Sequence, residues 1–198
     1  MSTRGLWGFH LNAKDYLTYN HSDSYPEELG TNLCKEFHEL LKQPGLLSII
    51  DLVHHLRLVH EDDEISKEEL ARLKKYPCLQ LDTDTFKKCF KSLADWYHLL
   101  REIQGNIANT LEIGVMIDNH TFTLDSLFCE WVYIFNLDTL ELEIYTGYTT
   151  IRGKGRYSEN SEPNEEGYYP CTLRHTISFY NLPKSMEHKA EQILFSWF

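Results

Sequence analysis

Residues 130–148, EWVYIFNLDTLELEIYTGY, decide the fold class of this 198-residue chain. The stretch is typical of a β-hairpin: β-branched and aromatic residues fill 131–135, turn residues occupy 136–139, and apolar residues alternate over 140–145. Residues 4–20 predict a second hairpin, in which LWGFHL and YLTYN flank the turn NAKD. Both segments therefore predict sheet.

Between the two hairpins, apolar residues recur at helical spacing from 31 to 104. We predict one helix over 31–42, a second over the apolar run LLSIIDLVHHLRLV, and a third in ISKEELARLKKY. In the third helix, Ser66 and Glu69 have capping-box spacing. A fourth helix is predicted over 86–103, and a last amphipathic helix follows Pro183.

This order of elements predicts an α+β fold in one domain covering residues 1–198. A mainly antiparallel sheet is expected from residues 3–20, 111–148 and 168–181. The helical block 31–104 and the final helix are expected to pack against it as a layer. The segment 153–167 has no apolar period and is predicted to be a mobile surface loop.

The composition limits the classes of partner. Thirty acidic and 19 basic residues give a net charge of −11, which argues against general nucleic-acid binding and favours a partner with a basic surface. No apolar run reaches membrane-spanning length, and MSTRGLWGFH does not resemble a secretory signal. Five cysteines without CxxC spacing indicate reduced thiols, so a cytoplasmic protein is expected.

Neither a cofactor nor a metal site is predicted from the motifs. The segment GKGR lacks the Lys-Ser/Thr ending of a phosphate-binding loop. His54, His55 and His60 lie near acidic residues, but no H-x-x-x-H pair would place two of them on one helix face.

The run YNHSDSYP, residues 19–26, follows the first hairpin. It has more polar residues than a turn requires, so it is either an elaborate turn or one wall of a site. An antiparallel hairpin returns its second strand to the start of its first, which places 20–23 beside 2–4. If Met1 were removed, the Ser2 hydroxyl could act as a nucleophile with its own α-amine as the base.

These neighbours suggest a site for hydrolysing a small amide. Asp23 is expected to form a bidentate ion pair with Arg4, and Asn20 or His21 could donate to an oxyanion. Glu130 interrupts an apolar run and either reaches Arg4 or His21 across the sheet or lies on an exposed face. The candidate catalytic residues are Ser2, Arg4, Asn20 and Asp23, and the candidate binding residues are His21, Ser22, Tyr25 and Glu130.

STRGLWGF followed by a hairpin into YNHSD is similar to the opening of N-terminal-nucleophile hydrolases of the choloylglycine hydrolase and penicillin acylase kind. In that family a nucleophilic cysteine starts the first strand and an Arg-Asn-x-Asp motif ends the second. Asp23 matches the family's aspartate, whereas Ser2 stands in for the cysteine and Asn20 for the arginine. YIFNLDTLELEIYTG resembles a later hairpin of these enzymes. The resemblance implies an amide hydrolase and an N-terminal-nucleophile-hydrolase-like fold.

A second resemblance leaves the function open. YNHSDSYP and LFCEW resemble uncharacterised proteins of bacteria and their phages. The alternative to catalysis is therefore an acidic interaction protein, for example a phage or bacterial inhibitor that docks on a basic protein surface.

Overall fold

The computed structural model describes residues 3–81, 95–159 and 161–186. It confirms the α+β class: a five-stranded sheet has the order β2-β1-β5-β6-β7, and β3 and β4 form a separate parallel pair. The strands are β1 (Gly5–Leu11), β2 (Lys14–Asn20), β3 (Arg57–Val59), β4 (Val115–Ile117), β5 (Trp131–Asn136), β6 (Glu141–Thr146) and β7 (Thr172–Ser178).

Both predicted hairpins are confirmed. In the first, Gly5 lies opposite Asn20, and the two-residue turn Asn12–Ala13 has positive φ at both positions (53° and 59°). This geometry matches the right-handed twist of the flanking strands, which explains why a short turn suffices. The second hairpin joins β5 to β6.

The main sheet is mixed. Three of its four strand pairings are antiparallel, while β1 runs parallel to β5 with Gly5 beside Trp131. A parallel pair needs a crossover connection, and the helical segment between the two hairpins is part of that connection. The parallel register also brings Arg4 beside Glu130, whose backbone N–H donates to the Arg4 carbonyl at 3.0 Å.

Five α-helices lie within the described ranges. The helix over 31–42 is confirmed, and Ser66 caps the third helix through its hydroxyl, which accepts from the Glu69 N–H at 3.1 Å. The bounds are α1 (Thr31–Lys42), α2 (Leu46–His54), α3 (Lys67–Leu73), α4 (Trp96–Leu100) and α5 (Ile107–Ile113).

Two segment predictions are wrong. The second helix ends at His54, because Arg57–Val59 leaves it to pair in parallel with β4. The predicted sheet segment 111–148 begins inside α5, which Gly114 ends in the left-handed conformation at φ 74°. An apolar run alone does not distinguish a buried helix from a buried strand. The fourth predicted helix before residue 95 and the last helix beyond residue 186 lie outside the described residues.

Three hydrophobic clusters form the interior. The main cluster joins α1 and α2 to one sheet face, where Trp7 and Phe9 point because side chains alternate along β1. A second cluster surrounds β3, β4 and α4. The third covers the opposite sheet face and includes Leu6 and Leu17. None of the helices in the described ranges is long and apolar enough to cross a bilayer.

Candidate functional site

A cavity of about 280 Å³ lies at the edge strand β2, where the three hydrophobic clusters meet. Its walls come from the main sheet, from β4 and from the short helices around them. The apolar and aromatic lining residues are Trp7, Tyr19, Tyr97, Leu100, Ile103, Val115, Met116, Ile117 and Phe122. The polar ones are Thr18, Glu61, Gln104, Thr110 and Asn119. An apolar cavity with a few polar groups is the usual form of a small-molecule site.

Asn119 fixes one wall of the cavity against the edge of β2. Its backbone N–H donates to the Leu17 carbonyl at 2.8 Å, and its Oδ1 accepts from the Tyr19 N–H at 3.1 Å. These bonds pair edge groups that would otherwise need water or another strand. The Phe122 ring then stands edge-on to Tyr19, with 5.6 Å between the ring centroids.

Trp7 forms another part of the wall and leaves a polar atom unsatisfied. The residue is 0% exposed, and its indole Nε1 has no hydrogen-bond acceptor among the residues that the structure describes. An unmade hydrogen bond of this kind costs about 1–3 kcal/mol. The indole Nε1 of Trp96 shares this property, but Trp96 does not line the cavity.

The polar groups of the lining carry little charge. Glu61 is exposed and is the one ionisable acid among the described lining residues, which include no Lys, Arg or His. Burial raises the pKa of the Tyr19 hydroxyl, while the positive charge of Arg4 acts against that rise. The same hydroxyl lies 3.2 Å from His21 Nδ1. Within the described ranges, no three His, Cys, Asp or Glu side chains are grouped to hold a metal ion.

The run 19–26 forms a closed, hydrogen-bonded turn. Asn20 is 7% exposed, and its Nδ2 donates to the Ser22 carbonyl at 2.6 Å and to Ser24 Oγ at 2.9 Å. Ser24 is fully buried, its N–H donates to the Thr3 carbonyl at 3.2 Å, and its carbonyl accepts from the Tyr133 hydroxyl at 3.0 Å. The inward-facing polar groups of the turn therefore bond to one another and to β5.

Most of the other sequence-predicted residues are exposed. His21, Ser22, Asp23 and Tyr25 are exposed, as is Arg4. No ion pair joins Arg4 to Asp23, both of which the structure describes, so the expected bidentate contact is wrong.

Arg4 and Asp23 instead have separate surroundings. The Arg4 guanidinium lies over the Phe128 ring at 5.5 Å, and Asp23 adopts a left-handed backbone on the turn, at φ 54°. Glu130 does reach Arg4, through Oε1 at 3.4 Å from the Arg4 backbone nitrogen. Ser2 lies outside the described residues, so its role as a nucleophile stays a prediction.

A charged network that no sequence pattern indicated lies on the sheet face opposite α1. Arg156 donates to Asp15 at 2.7 Å and to both oxygens of Glu143, at 2.6 and 2.7 Å. The Tyr157 hydroxyl donates to the second oxygen of Asp15 at 2.6 Å, and His10 Nδ1 lies 2.5 Å from the first. Asp15 and Arg156 are 141 residues apart, so no local pattern could have revealed the contact.

This network is a structural link. All four carboxylate oxygens of Asp15 and Glu143 accept hydrogen bonds inside it. Burial, followed by the charge of Asp15, raises the pKa of Tyr157 well above its usual range. Because Arg156 and Tyr157 bond to carboxylates on β2 and β6, the network holds their segment against the sheet.

Comparison with known proteins gives this chain no relative from which a function could be carried over. No protein-family model matches it, and neither a curated protein nor a solved structure does.

Proposed function

We propose that the protein binds a small, mostly apolar molecule in the cavity beside β2. The observation that carries this proposal is the cavity itself: about 280 Å³, lined by four aromatic rings and a few polar groups. Its volume is just below the usual range of ligand pockets, about 300–1,000 Å³, so the expected ligand is of fragment size.

The surroundings of the cavity support binding over an accidental packing defect. Interiors are close-packed, and voids larger than a water molecule are few in each domain. Here the wall residues on β2 are held in place by Asn119, which bonds to the edge of that strand through its backbone N–H and its Oδ1. A ligand in the cavity would restore packing contacts that the lining residues lack.

A cavity-filling variant tests this proposal. Thr18 lines the cavity on edge strand β2, so Thr18→Phe places a phenyl ring in the space. A ligand-observed NMR screen of aromatic fragments should give binders with the wild-type protein and none with Thr18→Phe. The matched control is Thr176→Phe, at an exposed position on the opposite edge strand β7, which should keep the binders. Equal binding by both variants would contradict the proposal.

A second candidate function is amide hydrolysis with Ser2 as the nucleophile. It is supported by the strand register, which places Gly5 opposite Asn20, and by Glu130 Oε1 near the Arg4 backbone nitrogen. Polar groups from three segments thus meet at the start of β1. Mass spectrometry of the purified chain tests it at once, because a retained Met1 contradicts a free Ser2 amine. Loss of amidase activity in Ser2→Ala would support it.

The non-catalytic alternative, docking on a basic protein surface, stays a prediction that follows from the net charge of −11. Capture of one basic protein in a pull-down that fails at high salt would support it.

A further inference from the structure

We infer that the ligand of the cavity is a small organic cation with an aromatic or aliphatic body, such as a protonated primary amine or a quaternary ammonium ion. This inference rests on the proposed cavity binding and adds the chemical class of the ligand. It follows from the charge and the aromatic content of the lining.

The charge of the lining disfavours the binding of an anionic ligand. Among the described lining residues, Glu61 is the one ionisable acid, and none of them is Lys, Arg or His. Within the described part of the chain, Glu61 forms no ion pair. A carboxylate or phosphate entering the cavity would lose its hydration without gaining a positive partner, which is costly. A cation would gain the Glu61 carboxylate.

The aromatic content of the lining favours a cation further. Four rings contribute to the walls, those of Trp7, Tyr19, Tyr97 and Phe122. Ring faces carry negative potential, and a cation within about 6 Å of a ring centroid gains about 0.5–2 kcal/mol. A neutral aromatic ligand would gain the apolar contacts but not this electrostatic contribution.

The positive charge of Arg4 lies near this wall, but Arg4 is not a lining residue. Arg4 acts on the Tyr19 hydroxyl, but its guanidinium lies over Phe128, which is not a lining residue. The whole chain carries a net charge of −11, which raises the local concentration of cations at its surface.

Three probes of nearly equal size separate the classes: 2-phenylethylamine (a cation at pH 7), 2-phenylethanol and phenylacetate. Their dissociation constants would be measured by NMR titration at low salt. We expect the amine to bind at least about fivefold tighter than the alcohol, because one charge contact contributes roughly 1 kcal/mol. Phenylacetate should bind most weakly of the three. Equal or tighter binding of the alcohol or phenylacetate would overturn the inference and leave cavity binding in place.

A charge-removing variant identifies the group responsible. Glu61→Gln should weaken amine binding about fivefold and leave the alcohol unchanged. Glu64→Gln is the matched control, because Glu64 is an exposed acid nearby that does not line the cavity. An identical loss of amine affinity in both variants would show that the net negative charge of the protein causes the preference for the amine, and it would overturn the role of Glu61. If none of the three probes binds, the proposed function fails together with the inference.

Discussion

Replacing Asn20 with alanine should destabilise the protein by about 2 kcal/mol, because the Asn20 amide holds the turn that joins β2 to α1. The substitution removes hydrogen bonds of 2.6 Å to the Ser22 carbonyl and 2.9 Å to Ser24 Oγ. Each such bond contributes about 0.5–1.5 kcal/mol net, so the pair contributes about 1–3 kcal/mol. Ser24 is fully buried, so its hydroxyl has no access to water to replace the lost donor.

Urea denaturation gives the free energy of unfolding, and thermal unfolding should show a decrease of about 4–8 °C for a loss of 2 kcal/mol in a chain of this size. Asn20→Asp should also be destabilising, because a carboxylate oxygen would face the Ser22 carbonyl oxygen where the amide N–H now donates. Ser22→Ala is the control, since the Ser22 side chain is exposed and only its carbonyl takes part in the turn. An Asn20→Ala variant within about 0.5 kcal/mol of wild type would refute the role of the amide.

Three further substitutions have defined expectations. Ser66→Ala removes the cap of α3 and should cost about 0.5–2 kcal/mol in urea denaturation, whereas Ser66→Asp should retain most of the stability. Glu36 accepts from the Ile107 N–H at 2.6 Å, and burial raises the pKa of its carboxyl group in the folded protein. The free energy of unfolding should therefore decrease as pH rises from the unfolded-state pKa of about 4.3 through the higher folded-state pKa. Glu36→Gln keeps an acceptor oxygen and should flatten that part of the stability–pH curve; an unchanged slope would contradict this. In Gly5→Ala the new methyl carbon would lie 2.5 Å from the Trp131 carbonyl oxygen. We therefore expect the free energy of unfolding to fall by about 1–3 kcal/mol or more. Wild-type stability of this variant would show that β1 and β5 are less closely spaced.

Local sequence patterns predicted the elements whose stability is local. The Asn12–Ala13 turn, the 131–146 hairpin and the Ser66 cap each depend on residues within a few positions of one another. The strand Arg57–Val59 could not be predicted in this way, because it exists through its pairing with Val115–Ile117. Its own three residues follow an apolar helix without a turn signal.

The residues of the cavity and of the turn were harder to predict, because tertiary contacts bring them together. Hairpin geometry correctly placed Asn20 beside the start of β1, but no pattern showed that its amide would point inward and bind its own turn. The cavity is lined by side chains from segments as distant as Trp7 and Phe122, and each of these residues alone is an ordinary apolar one. A buried indole without an acceptor is visible only once the fold is known.

The most direct test of cavity binding is the indole N–H resonance of Trp7 in a ¹⁵N-labelled protein during titration with 2-phenylethylamine. The chain has four tryptophans, and the Trp7 signal can be assigned by its loss in Trp7→Phe. Trp7 lines the cavity and Trp96 does not, so the Trp7 signal should shift in a saturable manner while that of Trp96 stays in place. A ligand that binds without moving the Trp7 signal, or that moves the Trp96 signal instead, would contradict the assignment of the site.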